Sequence, residues 1–244
     1  MSTNKRHELI LQILSERKYV TVDELSKLTY ISASSIRRDL TLLQNSGLVK
    51  RSHGGVSLPE TVSGIASFQD RMKKNILGKR LIAKKASSLL KDGQSIMLDG
   101  SSTTTFLLPY IAKLKSATLF TNNLSTALNA IELGIDTHCI GGRSVNSSPI
   151  LSGIEAYKYI SGLKPDVLFF SSQSLDAQGV ISDSTEEENY IRSLMIASAE
   201  KTVFLCDAQK FNQRSLYTLT TLDKIDVAIF DTTYPDLECN CDIL

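Results

Sequence analysis

Apolar positions in the first fifty residues recur at helical spacing in three short blocks. Leu9, Ile10, Ile13 and Leu14 share one face of a first helix. Thr21-Val22-Asp23-Glu24 has the form of a capping box and opens a second helix with Val22, Leu25 and Leu28 inward. In the third block Ile36, Leu40 and Leu43 stand at i, i+4 and i+7 and predict a buried stripe. Ser32 supplies a hydroxyl for the unpaired amides at its start, and Gly47 suits the left-handed position beyond its end. Ser34, Ser35, Arg38 and Thr41 then point away from the stripe, with Arg37 on its flank. A tight turn at Tyr30-Ile31 separates the last two blocks, which gives helix-turn-helix proportions.

Two short apolar runs follow. Leu48–Arg51 and Val56–Leu58 read as strands around a His53-Gly54-Gly55 turn, a basic hairpin beside the third helix. The expected unit is a winged helix-turn-helix over residues 1–58. Its third helix would enter a DNA major groove with Ser32, Ser34, Ser35, Arg37 and Arg38, while Lys50, Arg51 and His53 would meet phosphate from the wing.

Residues 59–67 show no sustained period and read as a linker. From Phe68 to Leu90 the pattern is helical again: Phe68, Met72, Ile76, Leu81 and Ile82 give an approximate apolar face, and the many lysines read as solvated surface. Beyond Gly93, short apolar runs alternate with helical stretches. Strands are expected at Ser95–Leu98, Ala117–Phe120, Thr137–Ile140, Val167–Phe170, Thr202–Leu205 and Val227–Phe230, which predicts an α/β domain over 68–236 with a mostly parallel sheet. Residues 237–244 read as a disordered tail.

Ligands of such sheets sit outside the carboxyl ends of the strands, so the residues after each run carry the chemistry. They are polar throughout. Asp99, Ser101, Ser102, Thr103 and Thr104 follow the first run and lead toward a helix containing Phe106, Leu107 and Tyr110. Thr121 and Asn122 follow the second, Gly141 and Gly142 the third, Ser171-Ser172-Gln173 the fourth, and Asp207 and Lys210 the fifth. Hydroxyls and free helix amides at Ser102, Thr103 and Thr104 suit a phosphate, Lys210 would add charge, and Asp99, Asn122 and Asp207 would orient sugar hydroxyls. Each station alone is an ordinary cap or turn; five on one sheet edge point to a phosphorylated polyol.

The charge distribution separates the two parts. Residues 1–85 carry 16 Lys and Arg against 7 Asp and Glu, net +9; residues 86–244 carry 11 against 19, net −8; the near-neutral +1 of the chain conceals this asymmetry. A basic front steers toward polyanions, and an acidic body avoids sticking to them. No signal-like segment or apolar run of membrane length is visible, so the expected location is cytoplasmic. Cys139 and Cys206 lie in apolar runs and read as core thiols, and Cys239-Asn240-Cys241 lacks the companions of a metal site. No catalytic residue, metal or cofactor is assigned.

Ser-Ala-Ser-Ser-Ile-Arg-Arg-Asp-Leu at 32–40 and Gly-Leu-Val-Lys-Arg-Ser-His-Gly-Gly at 47–55 resemble the DeoR family of bacterial transcriptional regulators. Asp99, Thr121-Asn122, Gly141-Gly142 and Asp207-x-x-Lys210-Phe211 resemble stations of its sensor domain. The resemblance implies an operator-binding homo-oligomer, usually a repressor of sugar catabolism, whose sensor binds a sugar phosphate and is similar in fold to ribose-5-phosphate isomerase. Two stretches depart from the family pattern. Ser101-Ser102-Thr103 replaces a loop that usually contains glycine, and Ala208-Gln209 replaces two serines. The alternative is a sugar-phosphate isomerase or transferase with an appended DNA-binding module, in which Glu186, Glu187 or Glu188 would act with Lys210 and Asp99. Fold likeness confers no such chemistry by itself.

Overall fold

A computed structural model describes residues 3–17, 19–45, 48–52, 55–57, 67–146, 148–234, 237 and 239–244. Gly47, His53, Gly54, Leu58 and the connector from 59 to 66 lie outside the described residues. The chain divides into two compact units, Met1–Ile65 and Ala66–Leu244.

The first unit contains α1 (Thr3–Glu16), β1 (Val20–Thr21), α2 (Val22–Thr29), α3 (Ala33–Asn45), β2 (Lys50–Ser52) and β3 (Gly55–Ser57). The capping box forms as its sequence predicts, with the Thr21 hydroxyl accepting from Glu24 N and the Glu24 carboxylate accepting from Thr21 N at 2.8 Å. Ile36, Leu40 and Leu43 are buried with Ile10, Leu14, Leu25, Val49 and Val56 in one core, each side chain contributing roughly 1.5–3 kcal/mol on burial. Leu28 departs from the expected inward face and is 42% exposed. The wing is three-stranded, because β1 pairs antiparallel with β3 and so ties the hairpin to the start of α2. Gly55 is required there: a Cβ would lie 2.8 Å from the Val20 carbonyl oxygen.

In the second unit the expected long helix is two, α4 (Phe68–Lys73) and α5 (Ile76–Ala86), broken at Asn75 with φ 45°. The break rotates the pattern, so that Ile76 and Leu81 are exposed and Lys79 is buried. Next come β4 (Ser95–Leu98), α6 (Leu108–Ile111), β5 (Thr118–Thr121), α7 (Leu124–Glu132) and β6 (Asp136–Cys139). A hairpin of β7 (Arg143–Ser144) and β8 (Leu151–Ser152) leads to α8 (Ile154–Ser161) and β9 (Val167–Phe170). The rest is β10 (Ser174–Leu175), β11 (Val180–Asp183), α9 (Glu186–Ser198), β12 (Thr202–Cys206), β13 (Tyr217–Thr221), β14 (Val227–Phe230) and β15 (Asp242–Ile243).

Seven strands form one parallel sheet in the order β15-β14-β12-β9-β4-β5-β6, and β10, β11 and β13 form a small antiparallel sheet. Successive residues alternate between two buried faces: Ile96 and Leu98 pack with Ile82, Leu107 and Leu119, while Met97 packs with Phe170, Phe204 and Met195. Burial on both faces is why these strands read as continuous apolar runs. Strand order reverses at β4 and β9, and the crevice outside their carboxyl ends is the topological switch point where such sheets take ligands. Residues 242–243 are an edge strand and Leu237 is buried, which corrects the disordered tail. Cys206 is buried as expected, but Cys139 is exposed because β6 is the sheet edge.

Candidate DNA interface and effector site

On the first unit Ser32, Ser34, Arg37, Arg38 and Thr41 are exposed and Ser35 half-buried. The Ser32 hydroxyl lies 3.1 Å from the Ser34 and 3.0 Å from the Ser35 hydroxyl and accepts weakly from Ser35 N, so it closes the start of α3. From the wing, Arg51 donates to Thr41 Oγ1 at 3.4 Å, which brings a wing cation onto the outer face of α3. Lys50 is exposed beside it. Asp39, next to the two arginines, has the opposite role. It is 1% exposed and accepts two bonds from the Arg6 guanidinium at 2.8 and 2.9 Å, fastening α3 to α1. The Arg6 bonds hold its carboxyl below the usual range. A carboxylate next to two outward arginines leaves their face basic when its own charge is neutralised from behind.

At the switch point of the second unit, Lys210 Nζ donates to Ser171 Oγ at 2.7 Å and to Thr103 Oγ1 at 3.4 Å, and lies 3.8 Å from Asp207. Residues following β4, β9 and β12 therefore meet around one ammonium group. A second lysine joins them from α5. Lys79 is 3% exposed, donates to the Arg71 carbonyl, and is pulled down to about pKa 8 by burial and by the Lys210 charge, against the pull of Asp207. A lysine run reads as solvated surface, and the sequence contains no signal that picks Lys79 out of it.

Asp99 is already committed. Its carboxylate accepts from Ser101 N at 3.1 Å, Thr104 Oγ1 at 3.3 Å, Ser171 N at 3.3 Å and Arg192 Nε at 2.8 Å. Arg192, from α9, also donates to Asp183 at 2.6 Å and has Glu188 at 3.8 Å. Burial opposes its charge, but Asp183, Asp99 and Glu188 outweigh burial and push its pKa up. Burial raises Glu188 despite Arg192. Asn122 is 1% exposed; its Nδ2 donates to the Leu151 carbonyl at 2.9 Å and its Oδ1 has no partner, leaving a buried acceptor beside Asp99, Glu188 and Arg192.

The remaining stations are placed differently. Ser101, Ser102, Thr103 and Thr104 are buried, but they enter a four-residue 3-10 turn, Thr104–Leu107, and then the single turn of α6 with Pro109 near its start. So short an element has little dipole, which corrects the expectation of a helix N-terminus at the cradle. Thr121 Oγ1 accepts from Asn123 N and shapes the loop. Gly141 and Gly142 are exposed in the approach to the β7–β8 hairpin. Gly142 has φ 142° and passes so close to Ser152 that a Cβ would lie 2.5 Å from its carbonyl oxygen. That is a reason of backbone packing, separate from the lysine cluster.

A model of the DeoR-like helix-turn-helix domain matches residues 6–62, and a model of the DeoR C terminal sensor domain matches residues 74–232. The chain belongs to the DeoR family. It is a helix-turn-helix transcriptional regulator with that family's sensor domain. This DeoR chain is 32% identical to the HTH-type transcriptional regulator GolR of Listeria innocua, over 93% of its own length and 90% of GolR. It is 33% identical to the L-fucose operon activator of Haemophilus influenzae, over 96% and 94%. Ribose 5-phosphate isomerase from Plasmodium falciparum superimposes with a TM-score of 0.40 at 18% identity, covering 55% of this chain and 52% of that one, too loosely to support any conclusion.

Proposed function

We propose that this DeoR-family chain binds operator DNA as a homo-oligomer in the cytoplasm, and that a phosphorylated sugar bound outside β4, β9 and β12 loosens its hold and relieves repression. In this reading Ser32, Ser34, Ser35, Arg37 and Arg38 face bases and neighbouring phosphates, with Lys50, Arg51 and His53 on the wing phosphates. Lys79 and Lys210 take the phosphate, with the Ser171 and Thr103 hydroxyls beside Lys210. Asn122 Oδ1 receives a sugar hydroxyl.

The observation that carries the effector reading is the convergence of buried Lys79 and half-buried Lys210 on the switch point, close enough for the Lys210 charge to lower the Lys79 pKa. Two ammonium groups in one crevice repel each other, and an anion between them reverses the sign of that energy. The test is thermal stability against a panel of free and phosphorylated sugars, since a ligand stabilises by mass action. Stabilisation by a free sugar and by no phosphorylated one would overturn the site.

Glu188 gives the enzymatic alternative its one support, because a buried carboxyl with a raised pKa suits proton transfer. Following the same panel for isomer formation separates the two readings, and sensing predicts stabilisation without turnover. Coupling is reciprocal, so operator DNA is expected to weaken sugar-phosphate binding by the same 1–3 kcal/mol order that the sugar weakens operator binding. Equal sugar affinity with and without operator would show that the two sites are uncoupled.

A further inference from the structure

α7 is built with its small residues inward and its large ones outward. Thr126, Ala127 and Ala130 are buried against the sheet, while Leu124, Leu128 and Ile131 are 43%, 63% and 59% exposed, with Leu133 beyond them at 47%. A single exposed leucine is ordinary on a soluble protein; a row at i, i+4 and i+7 on one helix face is not. The row flanks the end of the sheet. α7 packs on β5 and β6, and β6 is the outermost strand, so among the described residues its outer edge has backbone donors and acceptors with no strand beside them. On the opposite face of the sheet, α8 presents exposed Ile154 and Tyr159, and the Tyr159 hydroxyl lies 3.4 Å from His138 of β6. Apolar surface therefore borders an open strand on both sides. The other sheet edge is guarded, because β15 is two residues long and begins with Asp242.

We infer that the β6 edge of the sensor docks a second copy of this chain, with β6 antiparallel to β6 and α7 against α7 about a two-fold axis. Charge argues for a copy over a foreign partner. From Leu124 to Ile140 the acidic and basic residues are Glu132, Asp136 and His138, so the surface carries little that repels itself and little that a complementary partner could read. Antiparallel strand pairing satisfies both edges under a two-fold axis, which a closed dimer uses. Area argues the same way. Leu124, Leu128 and Ile131 of α7, with Leu133 just beyond it, leave roughly 400 Å² of largely apolar surface in water; a standard interface buries about 800 Å² per partner, a little over half of it apolar. This assignment rests on the proposed oligomer, but it uses no residue of the DNA face or the lysine crevice.

The test is the mass of the full chain in solution at micromolar concentration, without DNA or sugar, for wild type and for the double variant Leu128→Asp, Ile131→Asp. Both positions are exposed, so folding survives, and far-UV circular dichroism checks it. Wild type is expected to be a dimer or a higher even assembly, and the variant to have half that mass, to keep its stabilisation by sugar phosphates, and to bind a two-half-site operator at least tenfold more weakly. A monomeric wild type, or a variant of unchanged mass, overturns the inference. Exposed Cys139 at the end of β6 gives a second reading that needs no disruptive change. With Cys239→Ser and Cys241→Ser in place, a short bis-maleimide is expected to join two chains and to fail when Cys139→Ser is added, and absence of cross-linking while Cys139 is present overturns the arrangement. Failure of sugar phosphates to stabilise the wild type would defeat the effector reading and leave the mass result standing.

Discussion

Replacing Lys79 by methionine separates stability from sensing. The side chain is 3% exposed, and burial together with the Lys210 charge brings its pKa from 10.5 to about 8. The unfolded chain keeps the ordinary value and therefore holds the proton more tightly, so keeping the buried charge at pH 7 costs the folded state about 3 kcal/mol. Methionine has a similar length and no charge. The exchange forfeits the hydrogen bond to the Arg71 carbonyl, about 1 kcal/mol, and leaves a net gain of about 1–2 kcal/mol. For a domain of this size that is a rise in melting temperature of roughly 3–6 °C. The pH dependence has a definite sign. Between about 8 and 10.5 the folded lysine has lost a proton that the unfolded chain retains, so wild-type stability rises with pH across this window and its deficit against the variant shrinks. Thermal scans at pH 7 and pH 9.5 measure both effects, and repeating them with sugar phosphate measures sensing, which the variant is expected to lose. A variant less stable than wild type at pH 7, or a gap that fails to narrow at pH 9.5, refutes the reasoning.

Arg192→Met leaves Asp99, Asp183 and Glu188 without their common cation, and a urea midpoint is expected to report about 3–5 kcal/mol of lost stability; an unchanged midpoint would show that these carboxyls carry no buried charge. Arg38→Ala is expected to weaken operator binding by about 1–3 kcal/mol and relax preference at one base pair if it reads a base, or weaken all sequences equally if it meets phosphate; titrations on operator and scrambled DNA distinguish these, and unchanged affinity removes Arg38 from the interface. Arg6→Ala removes the donor that holds Asp39 below its ordinary pKa. That contribution is present above the unfolded value and lost as pH falls through the folded one, so the variant's helix-turn-helix unit is expected to lose its advantage throughout neutral pH and to show less acid sensitivity below pH 4.

Elements with one strong period were legible before any coordinates. The α3 stripe, the Thr21 capping box and the six apolar strand runs follow from spacing and cap chemistry, because each is decided by residues close in sequence. What escaped reading is decided at long range. Asp39 and Arg6 are 33 positions apart, and Asp99 meets Arg192 across 93. A left-handed break at Asn75 has no periodic signature, yet it turns Lys79 inward and Ile76 outward. Cys139 and the tail were misread for one reason: a strand's burial depends on its rank in the sheet, and neither the edge position of β6 nor the pairing of β15 with β14 is written in local pattern. The outward row of cations on α3 was legible because it stands opposite an apolar stripe, whereas the lysine crevice assembles from three strand ends and a helix.

The electrostatics of the crevice account for how strand ends crowded with carboxylates can hold an anion. Asp99, Asp183, Glu188 and Asp207 would repel phosphate if their charges acted freely at the strand ends. Three of the carboxylates nearest the switch point do not act freely, since Asp99, Asp183 and Glu188 all turn toward Arg192 and share its charge. Asp207 is left to oppose Lys210 from 3.8 Å, a distance at which it moderates the ammonium without quenching it. Among the described residues Lys79 has no carboxylate within ion-pair distance and donates to a backbone carbonyl, so burial and the Lys210 charge leave its proton loosely held. A phosphate entering between the two lysines meets acids that share the Arg192 charge behind it and two ammonium groups in front. Binding should therefore take up protons: near pH 8 an arriving anion raises the Lys79 pKa and draws a proton from solvent, so sugar-phosphate affinity falls as pH rises from 7 to 9. Calorimetry in buffers of different ionisation enthalpy measures that uptake directly. Binding with no proton uptake at pH 8 would place the phosphate away from Lys79.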